Sequence, residues 1–390
     1  MLQTGEFLFA IGAILMLGLV TDYIGKRTFL PRVTLLLAFG ILVGDEVLGM
    51  IPLNVSSRFE LITNMALMMI GFLLGGKLTA ASLKNIRRQL AWISISAALG
   101  ATAVVALMLT VVGIPLEIAI LLGCIASATE PVATLETVRE SGSKSRFSRL
   151  LITIVAIDDI LALLIFSLGL SLVSLLAGTH DIFASLLGVF HEIGGAILLG
   201  GIIGLPAAYL TGRLKSGQPM LTEALGVVFI CGGAAIWFEV SFLIATMTTG
   251  AVITNLAKHH EYPFHEIENI EWPFMVLFFI LSGASLQISM LEKIGAVGAV
   301  YLLARAAGKV LGAWFGARIS HADKKVQRWM GLALMPQAGL AIGMALLTAI
   351  KFPEHQQTIL SIVICTTVFF ELVGPILTRI SLRRARRAKL

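Results

Sequence analysis

LLITIVAIDDILALLIF, residues 150–166, decides how this chain has to be read. Two adjacent aspartates, Asp158 and Asp159, stand in the middle of an otherwise apolar run of the length that crosses a bilayer. Adjacent residues on a helix project roughly 100° apart, so the two carboxylates can face different neighbours. In a low dielectric they cannot both ionise cheaply without a cation. The pair is therefore expected to titrate as one coupled unit and to trade protons for a metal cation. A purely structural ion pair would need one aspartate for one lysine; the second requires another reason.

The rest of the chain agrees with a membrane setting. Of 390 residues, 57% are hydrophobic and 13% charged, against about 25% charged in a soluble domain, and the mean hydropathy is +0.93. Cys124, Cys231 and Cys365 all lie in apolar blocks without metal-ligand spacing and read as small buried residues. The net charge of +6 is spread over short loops between apolar blocks, so it argues for topology and against nucleic acid. No cleavable leader is expected, and strand periodicity is absent.

Apolar blocks between polar breaks predict about thirteen transmembrane helices. They fall at approximately 5–23, 29–49, 58–76, 89–112, 115–138, 147–177, 182–211, 219–237, 239–257, 271–290, 294–318, 326–350 and 356–381. Lysine and arginine gather in alternate loops, from Lys26 and Arg27 through Arg139, Lys144, Arg146 and Arg149 to Lys324, Lys325 and Arg328. The loops between them hold little beyond Arg58, Lys293 and Lys351. This bias places the N-terminus outside and the C-terminus in the cytoplasm of a multi-pass inner-membrane protein, which requires an odd helix number. The stretch HHEYPFHEIENIE, 259–271, reads as a solvated cytoplasmic loop, with metal binding or pH sensing as the sharper alternative.

A charged side chain at the bilayer centre costs about 2.5–3.5 kcal/mol on insertion scales, so mid-span charges mark function or a partner. Besides the aspartates these are Glu130, Arg305 and Lys309, with Glu371 in the last span. Arg305 and Lys309 are one turn apart in YLLARAAGKVLGAWFGA, 301–317, and share a helix face. Lysine can give up its proton when its carboxylate is taken by a cation and arginine cannot, so Lys309 is the candidate switch and Arg305 a fixed charge. Glu130 and Glu371 are both open as the partner of Arg305. Glu130 precedes Pro131 inside SATEPVAT, 127–134, where proline should break the fifth span. LMPQAGLAIG, 334–343, interrupts the twelfth in the same manner around Pro336 and Gly339. Unwound backbone at membrane depth is tolerated only in protein or along a cavity, and two such helices in separate halves point to an ion site in a secondary transporter.

Taken in order, LPRVTLLLAFGILVG, SATEPVAT, AIDDILAL, AAGKVLGA, LALMPQAGLAIGMAL and FFELVGPIL resemble the cation–proton antiporter superfamily over essentially the whole chain. They are most similar to its bacterial sodium–proton branch with two aspartates. The resemblance implies an all-α integral membrane fold of inverted five-helix repeats with two crossed broken helices. It also implies a dimerisation domain of 1–76 and 219–290, an ion-transport core of 89–177 and 294–381, and a linker helix at 182–211. Asp159 matches the cation-binding aspartate, Asp158 the one paired with lysine, and Lys309 that lysine. Thr129 falls where oxygens complete the cation shell, and Glu130, Arg305 and Gln337 fall at supporting positions. Two aspartates imply electrogenic exchange of two protons per sodium. Many relatives carry Asp or Ser at Glu130 and a basic residue at Gln337, and Arg305 is typical of the electroneutral branch.

The expected function is exchange of Na+ or Li+ for H+ by alternating access, in a homodimer surrounded by lipid, with no cofactor beyond the transported ions. A K+/H+ antiporter and a sodium-coupled organic-anion symporter of the same fold are the alternatives. An intramembrane aspartyl protease, the enzymatic reading, needs its two aspartates on separate helices.

Overall fold

The computed structural model describes residues 2–44, 47–51, 59–176, 187–188, 190–211, 220–257, 261–285, 295–337 and 339–387. Arg58 and Lys293, counted above for topology, and His259 and His260 lie outside them. Fifteen α-helices occur among the described residues, and no strand. They are α1 (Leu2–Arg27), α2 (Arg32–Val43), α3 (Phe59–Gly76), α4 (Ala80–Val111), α5 (Leu116–Ile125), α6 (Pro131–Glu140), α7 (Arg146–Leu176) and α8 (Gly195–Thr211). There follow α9 (Met220–Trp237), α10 (Phe242–Leu256), α11 (Glu261–Ser285), α12 (Gly295–Ile319), α13 (Lys324–Ala333), α14 (Gly339–Lys351) and α15 (Gln356–Arg387). Counting α5/α6 and α13/α14 each as one interrupted crossing gives thirteen. Among the described residues eight helices are long and apolar enough to cross a membrane, and Leu116–Ile125 and Leu340–Ala349 are among the shorter apolar ones. This is a multi-pass membrane protein.

Two stretches differ from the sequence reading. Residues 261–271 are not a solvated loop but the first turns of α11. Pro263 falls in the first turn, where a missing N–H costs nothing. Phe264 stacks on Phe72 with ring centroids 4.5 Å apart, and Ile267, three residues on, is fully buried. That apolar stripe at helical spacing outweighs the polar composition around it. The second crossing is also shorter than expected, because the chain turns at Gly44, whose carbonyl accepts from Gly49 N at 2.8 Å.

The chain divides into two compact units. Unit 1 holds Met1–Lys26, Leu42–Asn85 and Leu187–Ser285. Its centre is α10, packed on α3 and α8. The approach is close because Gly71 and Gly75 of α3 meet the α10 backbone at Leu243 and Met247, and Gly200 of α8 meets it at Ala245. Lipid supplies no hydrophobic drive between helices, so small residues that let backbones approach are what hold such contacts.

Unit 2 holds Arg27–Ile41, Ile86–Leu186 and Leu286–Leu390. It contains every mid-span charge singled out above. Within it α12 lies against α4 along Gly308, Gly312 and Gly316, one residue per turn. A Cβ at Gly308 would stand 2.6 Å from the Gly100 carbonyl oxygen, so nothing larger than glycine fits there. At one end of this unit Glu140 joins three elements: Oε2 accepts from Arg32 N at 2.9 Å, capping α2, and Oε1 pairs with Arg379 Nη1 of α15 at 3.0 Å.

Candidate functional site

The two interrupted crossings meet. α5 ends at Ile125 and α6 begins with Pro131, whose lack of an N–H is harmless at a first helical position. Glu130 is the cap residue: its Oε1 accepts from Val132 N at 2.9 Å. The backbone N–H of Glu130 donates to Pro336 O, 3.0 Å away, in the gap between α13 and α14. One hydrogen bond thus ties the two unwound segments together, 206 residues apart in sequence by their numbers (Glu130 and Pro336).

Each half-helix that stops inside the unit leaves carbonyls without their usual fourth-residue partners; Cys124 O and Ile125 O accept from Ser127 N and Ala128 N instead, and side chains reach every one named here. Ser127 Oγ donates to Cys124 O at 2.7 Å, and Gln337 Nε2 donates to Ile125 O at 3.4 Å. Arg305 takes three more: Nε to Ala126 O at 3.2 Å, Nη2 to Ala128 O at 2.9 Å and Nη1 to Met335 O at 2.9 Å. Its guanidinium carbon also lies 4.2 Å from the Phe370 ring centroid. The expected carboxylate partner, Glu130 or Glu371, is replaced by backbone: among the described residues no carboxylate pairs with Arg305. The reason is the charge of helix ends. The carbonyl termini of α5 and α13 carry the negative poles of their dipoles, and a planar guanidinium spreads its donors over three nitrogens and so reaches carbonyls further apart than the single nitrogen of an ammonium can.

Lys309, one turn along α12, does find a carboxylate. Its Nζ is 3.1 Å from Asp158 Oδ2, with both side chains at 0% exposure. Thr129 Oγ1 closes the triangle, accepting from Lys309 Nζ at 2.6 Å and donating to Asp158 Oδ2 at 2.7 Å. A residue of the first unwound segment, one of α7 and one of α12 are thereby locked together. Asp158 Oδ1 is buried without a partner among the described residues.

Asp159 stands apart from this bridge. It is 8% exposed and its Oδ1 is buried without a hydrogen bond among the described residues. The charges that act on it are those of Glu130, Asp158 and Lys309. Glu371 of α15 is also 8% exposed, with a buried, unpartnered Oε2, and the charge acting on it is that of Glu130. Adjacent aspartates with the same sequence surroundings have thus been given opposite environments, one paired and one bare.

Every residue singled out from sequence at this site lies in unit 2 near the crossing. What the sequence could not display is that Arg305 serves carbonyls, that Glu130 and Pro336 share a backbone bond, and that Thr129 belongs to the lysine bridge. No sequence pattern links Arg305 to a carbonyl freed by a helix break 179 positions earlier, at Ala126.

The family profile described as "Sodium/hydrogen exchanger, transmembrane" matches residues 8–384. The chain belongs to this sodium/hydrogen exchanger family. It is similar to the Na(+)/H(+)-K(+) antiporter GerN of Bacillus cereus, 24% identical over 375 residues, which covers 93% of this chain and 94% of that one. It also resembles the ammonium/H(+) antiporter subunit AmhT of Alkalihalophilus pseudofirmus, 21% identical over 352 residues, 88% of this chain and 86% of the relative. Among solved structures, the sodium proton antiporter MjNhaP1 of Methanocaldococcus jannaschii superposes with a TM-score of 0.76, covering 98% of this chain and 95% of that one at 18% identity. This exchanger therefore has the sodium/proton antiporter fold.

Proposed function

We propose that this protein is a secondary active transporter that exchanges Na+, or Li+, for H+ across the cell membrane by alternating access, moving net charge in each cycle. One observation carries the reading. A fully buried Lys309–Asp158 bridge stands next to Asp159, a buried carboxylate that makes no hydrogen bond among the described residues.

In the proposed cycle the cation binds Asp159, with Asp158 and Thr129 supplying further oxygen. Sodium is a hard cation and takes oxygen donors. When Asp158 turns to the cation, Lys309 loses its partner and can release its proton, so one cation is exchanged against two protons, one from the Asp159 carboxyl and one from the Lys309 ammonium. The protonated site, a neutral Asp159 carboxyl beside the Lys309–Asp158 ion pair, has no net charge, and the sodium-loaded site, one cation with two carboxylates and a neutral lysine, carries one negative charge. A site that has lost its protons without gaining the cation carries two negative charges, which burial penalises most, and this penalty enforces the coupling. More than one proton per cation makes the exchange electrogenic. Glu130, Arg305 and Gln337 support the site by holding the crossing open and its carbonyls satisfied.

Unit 2 is the proposed ion-carrying part and unit 1 the proposed dimerisation part, with residues 27–41 moving with the former and 187–211 with the latter. The positive loops favour an outside N-terminus and a cytoplasmic C-terminus.

The test is cation-dependent proton flux through purified protein in liposomes. Asp159→Asn is expected to abolish it, and normal flux in that variant would overturn the mechanism. A flux that ignores an imposed membrane potential would exclude the electrogenic form. K+/H+ exchange is the second reading, favoured by the similarity to a relative named for Na+, H+ and K+. Scanning Na+, Li+ and K+ in the same assay separates the two.

A further inference from the structure

Glu140 ends α6, the ten-residue half-helix whose head lies in the site. At that head Glu130 N donates to Pro336 O at 3.0 Å, and Thr129, the residue before it, meets Lys309 Nζ and Asp158 Oδ2. At the tail one carboxylate makes two ties: Oε2 accepts from Arg32 N at 2.9 Å, and Oε1 pairs with Arg379 Nη1 at 3.0 Å. In between, Thr134 and Thr137 donate to Glu130 O and Ala133 O, and these bonds hold α6 to no neighbour. The break is what makes the ends matter. After α5 the backbone closes with Ser127 N to Cys124 O and Ala128 N to Ile125 O, and the bond from Glu130 N leaves for Pro336. The helical ladder that sets each residue lengthwise in an unbroken helix does not run from α5 into α6. Packing and its two ends set the depth of α6 instead.

The partner at the tail belongs to the same frame as the partner at the head. Arg379 lies on α15, a continuous helix of 32 residues, and its Nη1 also donates to Leu30 O at 2.8 Å. The residue before it, Thr378, donates to Ala333 O of α13 at 3.0 Å. One turn earlier, a Cβ at Gly374 would stand 2.6 Å from Pro336 Cα. The helix that holds the tail of α6 therefore bears directly on Pro336, which holds its head. Glu130, Pro336, Gly374, Arg379 and Glu140 form a closed circuit of contacts, with α6 as one side, about 15 Å long.

We propose that Glu140 is a positioning residue for cation binding: by fixing the tail of α6 it sets the depth at which Thr129, beyond the other end, meets Lys309 and Asp158. When the tail is released, α6 settles along its axis and the Thr129 hydroxyl leaves its contacts with Lys309 Nζ, at 2.6 Å, and Asp158 Oδ2, at 2.7 Å. The cation then meets an incomplete set of oxygen donors and binds more weakly. The effect on the cation rests on the reading of Thr129 as one of its donors; the effect on the Thr129–Lys309 contact does not.

The first measurement needs no transported cation. Melting temperatures of the purified full chain in buffer free of Na+ and Li+ are compared for Glu140→Gln, Thr129→Val and the double variant. Substitutions this far apart ordinarily contribute additively. Here the double variant should fall by less than the sum, because releasing the tail of α6 has already withdrawn the Thr129 hydroxyl. Arg379→Gln cuts the same ion pair from α15 with Glu140 in place, and should show the same shortfall when combined with Thr129→Val. Additive losses in either pair would overturn the positioning role and leave Glu140 a clamp on α2 alone. The second measurement is liposome flux against Na+ concentration. Glu140→Gln should raise the apparent KM for Na+ several-fold and lower maximal turnover less, and should add no further rise in the Thr129→Val background. A KM that does not rise in Glu140→Gln would refute the role in binding. A KM unchanged in Thr129→Val would overturn Thr129 as a cation donor, and with it the effect of Glu140 on binding, while the thermal coupling still reads the position of α6.

Discussion

Lys309 Nζ lies 3.1 Å from Asp158 Oδ2, and neither side chain has any exposure to solvent. A buried pair of this kind contributes modest net stability, yet removing one partner strands a charge. That cost is about 3–5 kcal/mol. Asp158→Asn should therefore lower the melting temperature in detergent markedly. Asp158→Asn combined with Lys309→Met should recover most of the loss, because no charge is left uncompensated. Equal destabilisation in the single and double variants would mean the bridge is not the source.

Asp159 makes the contrasting prediction. Its side chain makes no hydrogen bond among the described residues, so Asp159→Asn should leave the melting temperature in cation-free buffer unchanged or raised. Added Na+ should stabilise the parent by mass action, RT ln(1 + [Na+]/Kd), and should not stabilise the variant. A thermal-shift titration reads both. Retained Na+ stabilisation in Asp159→Asn would remove this residue from the site.

Arg305 ties down carbonyls of both unwound segments. Each buried carbonyl left unpaired costs about 1–3 kcal/mol. Arg305→Ala should therefore destabilise by more than the loss of one hydrogen bond. Arg305→Lys should rescue only part, since an ammonium lacks the planar fork that spans Ala126, Ala128 and Met335. Denaturation midpoints in the order parent, Lys, Ala are the expected result. A lysine variant as stable as the parent would show that charge alone suffices.

Gly308 tests the backing of the site. With the Gly100 carbonyl 2.6 Å from the place a Cβ would take, Gly308→Ala must push α12 from α4. Overpacking of this kind costs about 1–3 kcal/mol. Because Lys309 is the next residue, transport should suffer as well as stability. Measured together, flux loss should accompany a lowered melting temperature, and an unchanged variant would deny the close packing.

Much of this was legible in one dimension, and particular residues explain why. Asp158, Asp159, Arg305 and Lys309 stand out because bilayer-depth charges are costly and few. Pro131 and Pro336 stand out because proline cannot continue a helix interior. Residues 261–271 misled because composition is a weak guide when Phe264 and Ile267 have a buried stripe to join. The partner of Arg305 was invisible because carbonyls are present at every position and only geometry selects among them.

From the sequence alone came the membrane setting, the thirteen crossings, the two breaks and the identity of the charged residues, since each follows from local hydropathy and local backbone chemistry. Tertiary structure decided which charge meets which partner. Asp158 and Asp159 are neighbours in the chain, but one turns to Lys309 and Thr129 and the other is left bare. Their helix rotates successive side chains to different faces, and what each face meets depends on segments distant in sequence.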